Sequence, residues 1–168
     1  MAELDASEAA ALLFAAHQAG LLRLGVLLLG DRGAAEDVIQ DAFIGLLNHW
    51  PRLRDPGKAL AYLRASVVNR SRNQLRRKVI ARRIGIGMPP PELSAESAVL
   101  LTEERKAVLV ALRRLPPRRQ IVLVLRFYFD LTDDEIAEAL TIRPATVRST
   151  ATRALRALGA LLGEEAAA

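Results

Sequence analysis

The sequence predicts an all-α protein, two small helical domains joined by a proline- and glycine-containing linker. Three observations carry this. Apolar residues make up 51% of the chain and aromatics only 4%, so any core is built from Leu, Val, Ile and Ala, which favours helices over strands. Those residues recur at helical spacing, and no alternating strand pattern competes. The run Gly85-Ile86-Gly87-Met88-Pro89-Pro90-Pro91 cannot continue a helix. It places a first domain at 7–83, a flexible linker at 84–101 and a second domain at 102–162.

In the first domain Ser7 can cap a helix over 7–29, with Leu12, Leu13, Leu21, Leu24 and Leu28 on its apolar faces. Gly30-Asp31-Arg32-Gly33 reads as a turn. A second helix over 34–50 stops before Pro51 and buries Val38, Phe43 and Leu47. After a loop over 51–57, a third helix spans 58–83, with Leu60, Leu63, Val67 and Ser71 facing inward. In the second domain a helix over 102–115 ends before Pro116, and Pro117 opens another that reaches about 128. Thr132-Asp133-Asp134-Glu135 is a capping box for a short helix over 133–140. Pro144 then opens a last helix to about 162.

Several function classes fall away. There is no cysteine, which excludes disulfides and thiolate chemistry, and His17 and His49 lack metal-ligand spacing. No nucleophile–base set or phosphate loop occurs, so neither catalysis nor a cofactor or metal is expected. The acidic start is wrong for a secretory signal, and Gly20 and Arg23 interrupt the first apolar stretch, so membrane insertion is not expected and the address is cytoplasmic. Charge is uneven. Residues 1–50 carry two basic side chains against seven acidic, and residues 51–90 carry eleven against one. An acidic block beside a basic one suggests two different partners, the second a polyanion.

Three surfaces could carry function. The helices over 133–140 and 144–162, with a turn of about three residues between them, form a helix-turn-helix pattern locked by Ile136, Ala137, Leu140, Ile142 and Val147. Its second helix offers Thr146, Ser149, Thr150 and Arg153 at i, i+3, i+4 and i+7, suited to base edges, with Arg143, Arg148 and Arg156 for phosphates. An ordinary helical hairpin has the same pattern. The basic helix sets Asn69, Arg72, Asn73 and Arg76 on one face, with Arg70 and Arg77 adding charge. Trp50 and Tyr62 are candidate base-stacking groups, or core residues. The helix over 34–50 turns Asp37, Gln40, Asp41, Ile44 and Asn48 outward, either a protein-docking face or a solvated one.

Taken in order, these segments resemble bacterial sigma factors of the extracytoplasmic-function group, of the SigE-like actinobacterial type. The resemblance lies in Gly30 to Phe43, in Ala61 to Asn73, and in Leu115-Pro116-Pro117-Arg118-Arg119-Gln120 with the helix-turn-helix. It implies a core-polymerase face at Asp37, Gln40, Asp41 and Ile44, meeting the clamp helices of the largest subunit. It implies minus-ten contacts from Asn69, Arg70, Arg72, Asn73, Arg76 and Arg77. Minus-thirty-five contacts are implied for Arg143, Thr146, Arg148, Ser149, Thr150 and Arg153. The second domain would also sit on the flap of the second-largest subunit, and an anti-sigma protein is a possible further partner. The alternative is a stand-alone helix-turn-helix regulator, against which stands the absence of a heptad seam for dimerisation.

Overall fold

A computed structural model of the chain describes residues 6–86 and 102–166. Among them are seven α-helices and no strand: α1 (Ala6–Leu29), α2 (Arg32–His49), α3 (Ala59–Arg83), α4 (Glu103–Arg114), α5 (Pro117–Phe127), α6 (Asp133–Leu140) and α7 (Pro144–Ala166). Two 3-10 turns, Trp50–Arg52 and Pro56–Lys58, connect α2 to α3. Of the expected linker, residues 87–101 lie outside the described residues, as do Glu3 and Asp5 of the acidic start.

The first half packs α1, α2 and α3 against one another. Leu21, Leu24 and Leu28 meet Val38, Ile39, Ala42 and Leu46 from α2 and Leu63, Val67 and Val68 from α3. Phe14 and Phe43 add an edge-on ring contact at 4.5 Å. Gly25 is where α1 and α2 come closest: a Cβ there would lie 2.8 Å from that of Ala35. The helix α2 begins earlier than the sequence suggests. Gly30 takes a positive φ, the Asp31 carboxylate accepts the Ala34 N–H at 2.6 Å, and Arg32 and Gly33 already belong to the first turn.

Two inward assignments are corrected. Leu12 is exposed, because the first turns of α1 have little packed over them. Leu47 is 43% exposed. It stands a turn beyond Phe43 and about 40° further round the helix, past the edge of the buried arc. Ser71 is fully buried, as its spacing suggested, whereas Leu60 is only half-buried.

In the second half Thr102 caps α4, accepting from the Arg105 N–H at 3.4 Å. The helix α5 carries five consecutive buried residues, Ile121 to Leu125. A helical stretch that is apolar all round must be covered all round, and this one is: α5 packs on α7 on one side and on α1 and α3 on the other, with Arg118 and Phe127 exposed at its two ends. One contiguous cluster of buried side chains therefore runs through both halves. By length and composition Ser7–Leu29 could cross a membrane; its second half lines this core through Leu21, Leu24, Leu28 and Leu29, while Leu12 is exposed.

Candidate nucleic-acid interface

The helix-turn-helix is built by local chemistry. The Thr132 hydroxyl accepts the Glu135 N–H at 3.3 Å, and the Glu135 carboxylate accepts the Thr132 N–H at 2.8 Å and its hydroxyl at 2.9 Å. These bonds favour the ionised carboxylate and hold Glu135 below its ordinary pKa, the backbone bond first, with Arg64 of α3 adding a small push in the same direction. At the other end Thr141 takes φ 55°, ψ 50°. Its N–H donates to the Glu138 carbonyl at 3.2 Å, and the Ile142 N–H donates to the Ala137 carbonyl at 2.9 Å. That left-handed residue turns the chain so that Pro144 can open α7. Ile136, Ala137, Leu140 and Val147 are buried where the two helices cross, and Ile142 packs partly buried beside them.

The outward face of α7 differs from the expected one. Ser149 and Arg153 are exposed and tied together, Arg153 donating from Nε to the Ser149 carbonyl at 3.1 Å and from Nη2 to its hydroxyl at 3.2 Å. Thr150 is only 6% exposed, so its place on the reading face is corrected. At about 100° per residue it falls beside Val147, Ala151 and Ala154, which fill the core. Thr146 is half-buried and Arg143 exposed. The open stripe is Ser149, Thr152, Arg153 and Arg156, with Arg148 alongside. Arg156 was expected as a phosphate contact; Thr152 was not among the expected contacts, yet a step of three from Ser149 would have found it.

Arg148 is not simply solvated. Asp133, the first residue of α6, accepts from Arg126 at 2.6 Å through one oxygen and meets Arg148 at 3.5 Å through the other. One carboxylate thus joins the end of α5, the start of α6 and the exposed helix α7.

The structure divides the expected basic face of α3. Asn73, Arg76 and Arg77 are exposed. Asn69 and Arg72 are partly buried, and the Asn69 amide donates to the Ala139 carbonyl of α6 at 3.4 Å. Arg70 points elsewhere, to Asp41 of α2 at 3.3 Å, and so leaves the Asn69 face. Tyr62 stacks on His49 at 4.8 Å and Trp50 packs against the core, and both are half-buried.

On α2, Asp37, Gln40, Asp41, Ile44 and Asn48 are all exposed, Ile44 by 51%. Leu47 joins them. Helical rotation puts it next to Gln40 and Ile44, so the face is more apolar than the sequence reading had it. Among the described residues no cluster of three or more His, Asp or Glu could hold a metal ion.

Comparison with known proteins adds to this geometry. Residues 13–79 match the family model for sigma-70 region 2, and residues 105–158 match that for sigma-70, region 4. The RNA polymerase sigma-E factor of Streptomyces coelicolor is 30% identical over 145 residues, covering 84% of this chain and 79% of that protein. The corresponding factor of Streptomyces avermitilis is 29% identical, covering 84% and 78%. The ECF RNA polymerase sigma factor SigL of Mycobacterium tuberculosis is 30% identical over 166 residues, covering 95% and 93%.

Proposed function

The chain belongs to the extracytoplasmic-function group of RNA polymerase sigma factors, and we propose that it binds core RNA polymerase and directs it to promoters. The observation that carries this reading is three outward faces of different chemistry on one chain. An acidic and apolar face lies on α2, a basic one on α3, and a hydroxyl and arginine stripe on α7. The first suits a protein partner and the other two suit DNA.

Asp37, Gln40, Asp41, Ile44 and Leu47 meet the clamp helices of the largest subunit. Asn69, Arg72, Asn73, Arg76 and Arg77 contact the minus-ten element, with Arg70 at the edge of that face. Ser149, Thr152 and Arg153 read the minus-thirty-five element, flanked by Arg143, Thr146, Arg148 and Arg156 on the backbone. The functional modules are 7–83 and 102–162, and the protein acts in the cytoplasm by binding rather than by catalysis. An anti-sigma protein is a partner class that fits the exposed faces.

Run-off transcription with purified core polymerase tests the proposal. Promoter-specific product should depend on both the chain and the core enzyme. No product from any promoter in a random pool would overturn it.

A further inference from the structure

We propose that the last turns of α3 read duplex DNA just upstream of the minus-ten element, with Ile80 and Ile84 seated on thymine methyl groups in the major groove. The inference rests on the sigma-factor reading and lengthens the face assigned there to the minus-ten element.

The end of α3 is a built terminus. Ser71 is the last fully buried residue of the helix, yet the helix runs on to Arg83. Two bonds close it: the Gly85 N–H donates to the Arg82 carbonyl at 3.2 Å, and the Ile86 N–H to the Ala81 carbonyl at 2.9 Å. Gly85 takes φ 75°, which glycine adopts without strain. The final turns therefore keep helical register although little covers them.

That register decides what they present. Asn73, Arg76, Arg77, Ile80 and Ile84 stand at i, i+3, i+4, i+7 and i+11, on one face of the helix. All five are exposed, Ile80 by 58% and Ile84 by 64%. Leu75 and Val79 turn the other way, into a small cleft with Leu28 and Leu115. Two isoleucines thus stand in water among arginines, on the side where a solvated helix carries polar residues.

Their surroundings select the partner. From Pro56 to Ile86 the chain has no acidic residue, so this surface suits a polyanion. A helix that lies on a lipid surface separates a broad apolar face from its cations. Here Asn73, Arg76 and Arg77 share the arc with the isoleucines. On duplex DNA the two chemistries belong together: arginine holds phosphates, and an apolar side chain meets the thymine methyl in the major groove. Direction follows from chain order. Beyond Ile86 the chain leads to the half whose α7 is assigned to the minus-thirty-five element, so this end of α3 faces upstream. At about 1.5 Å per residue, Ile80 stands about 10 Å and Ile84 about 16 Å beyond Asn73. At about 3.4 Å per base pair these are reaches of about three and five base pairs.

Run-off transcription with core polymerase, on a promoter pool randomised just upstream of the minus-ten element, tests the proposal. The native chain should enrich thymine there. Replacing an enriched thymine by uracil removes only the methyl group, and should weaken promoter binding about fourfold, the worth of one buried methyl. Ile80→Ala with Ile84→Ala, exposed changes to a stronger helix former, should abolish both the enrichment and the uracil effect while the minus-ten preference stays. Promoter-specific product with no upstream preference, or an equal loss on every sequence in the double variant, would overturn the inference and leave the sigma-factor reading standing. Flotation of the native chain with phosphatidylglycerol vesicles, lost in the double variant, would assign the face to a lipid surface and overturn it too. Absence of any product would instead strike the sigma-factor reading itself, and this inference with it.

Discussion

Replacing Asp133 by Asn tests whether one carboxylate holds the helix-turn-helix together. The side chain is 18% exposed, and its short bond to Arg126 is the stronger of its two contacts. A hydrogen bond to a charged group contributes about 1.5–3 kcal/mol, and a neutral one about 1. Asparagine keeps the shape and one acceptor, so about 0.5–2 kcal/mol is lost at this bond. The Arg148 contact is longer and more exposed on the arginine side, which adds at most about 1 kcal/mol. The lost negative charge at the start of α6 adds about 0.3–1 kcal/mol. Because these effects overlap, the expected total is about 1.5–2.5 kcal/mol. For a chain of this size each kcal/mol moves the melting temperature by about 2–4 °C. Urea titration followed by circular dichroism measures the change. A cycle with Arg126→Gln isolates the pair, with an expected coupling of about 1 kcal/mol. A loss under about 0.5 kcal/mol, or strictly additive single changes, would refute the reasoning.

Four further outcomes follow from particular residues. Glu135 has a lowered pKa, so its contribution is complete above the ordinary carboxylate value of about 4.3 and is lost as pH falls from there through the folded value. The stability difference between the native chain and Glu135→Gln, by urea midpoint, should shrink across that window. Thr141→Gly relieves a β-branched residue in the left-handed region and should stabilise by about 1 kcal/mol, read as a higher urea midpoint. Gly25→Ala forces apart α1 and α2 and should destabilise by about 1–3 kcal/mol in the same titration. Ile44→Asp with Leu47→Asp should weaken core-polymerase binding at least about tenfold in a pull-down titration, because apolar anchors dominate such faces, while thermal melting stays unchanged.

What could be read in advance follows the range of the forces involved. The capping box, the proline starts of α5 and α7 and the outward face of α2 depend on residues three or four apart, and each lies where spacing put it. Helix edges were harder. Arg32 and Gly33 joined α2 because one aspartate captured one N–H, an event a Gly-Asp-Arg-Gly string does not announce. Leu47 and Thr150 were misplaced by the same cause. Each sits at the margin of a buried arc, where a few tens of degrees of rotation decide between core and solvent.

The sequence by itself determined an all-α chain, the helix-turn-helix and its cap, and the order of acidic, basic and reading helices, since these rest on local periodicity and turn chemistry. Only the tertiary structure decided that Gln120 closes the end of α1, that α6 lies over Asn69, and that Arg70 turns to Asp41. The run Ile121 to Leu125 is apolar enough to demand cover on every side. It does not name what supplies that cover, because contacts between residues some seventy to ninety positions apart leave no local period. The helix-turn-helix is therefore a local fact of the sequence, and its placement against the first half is a fact of packing alone.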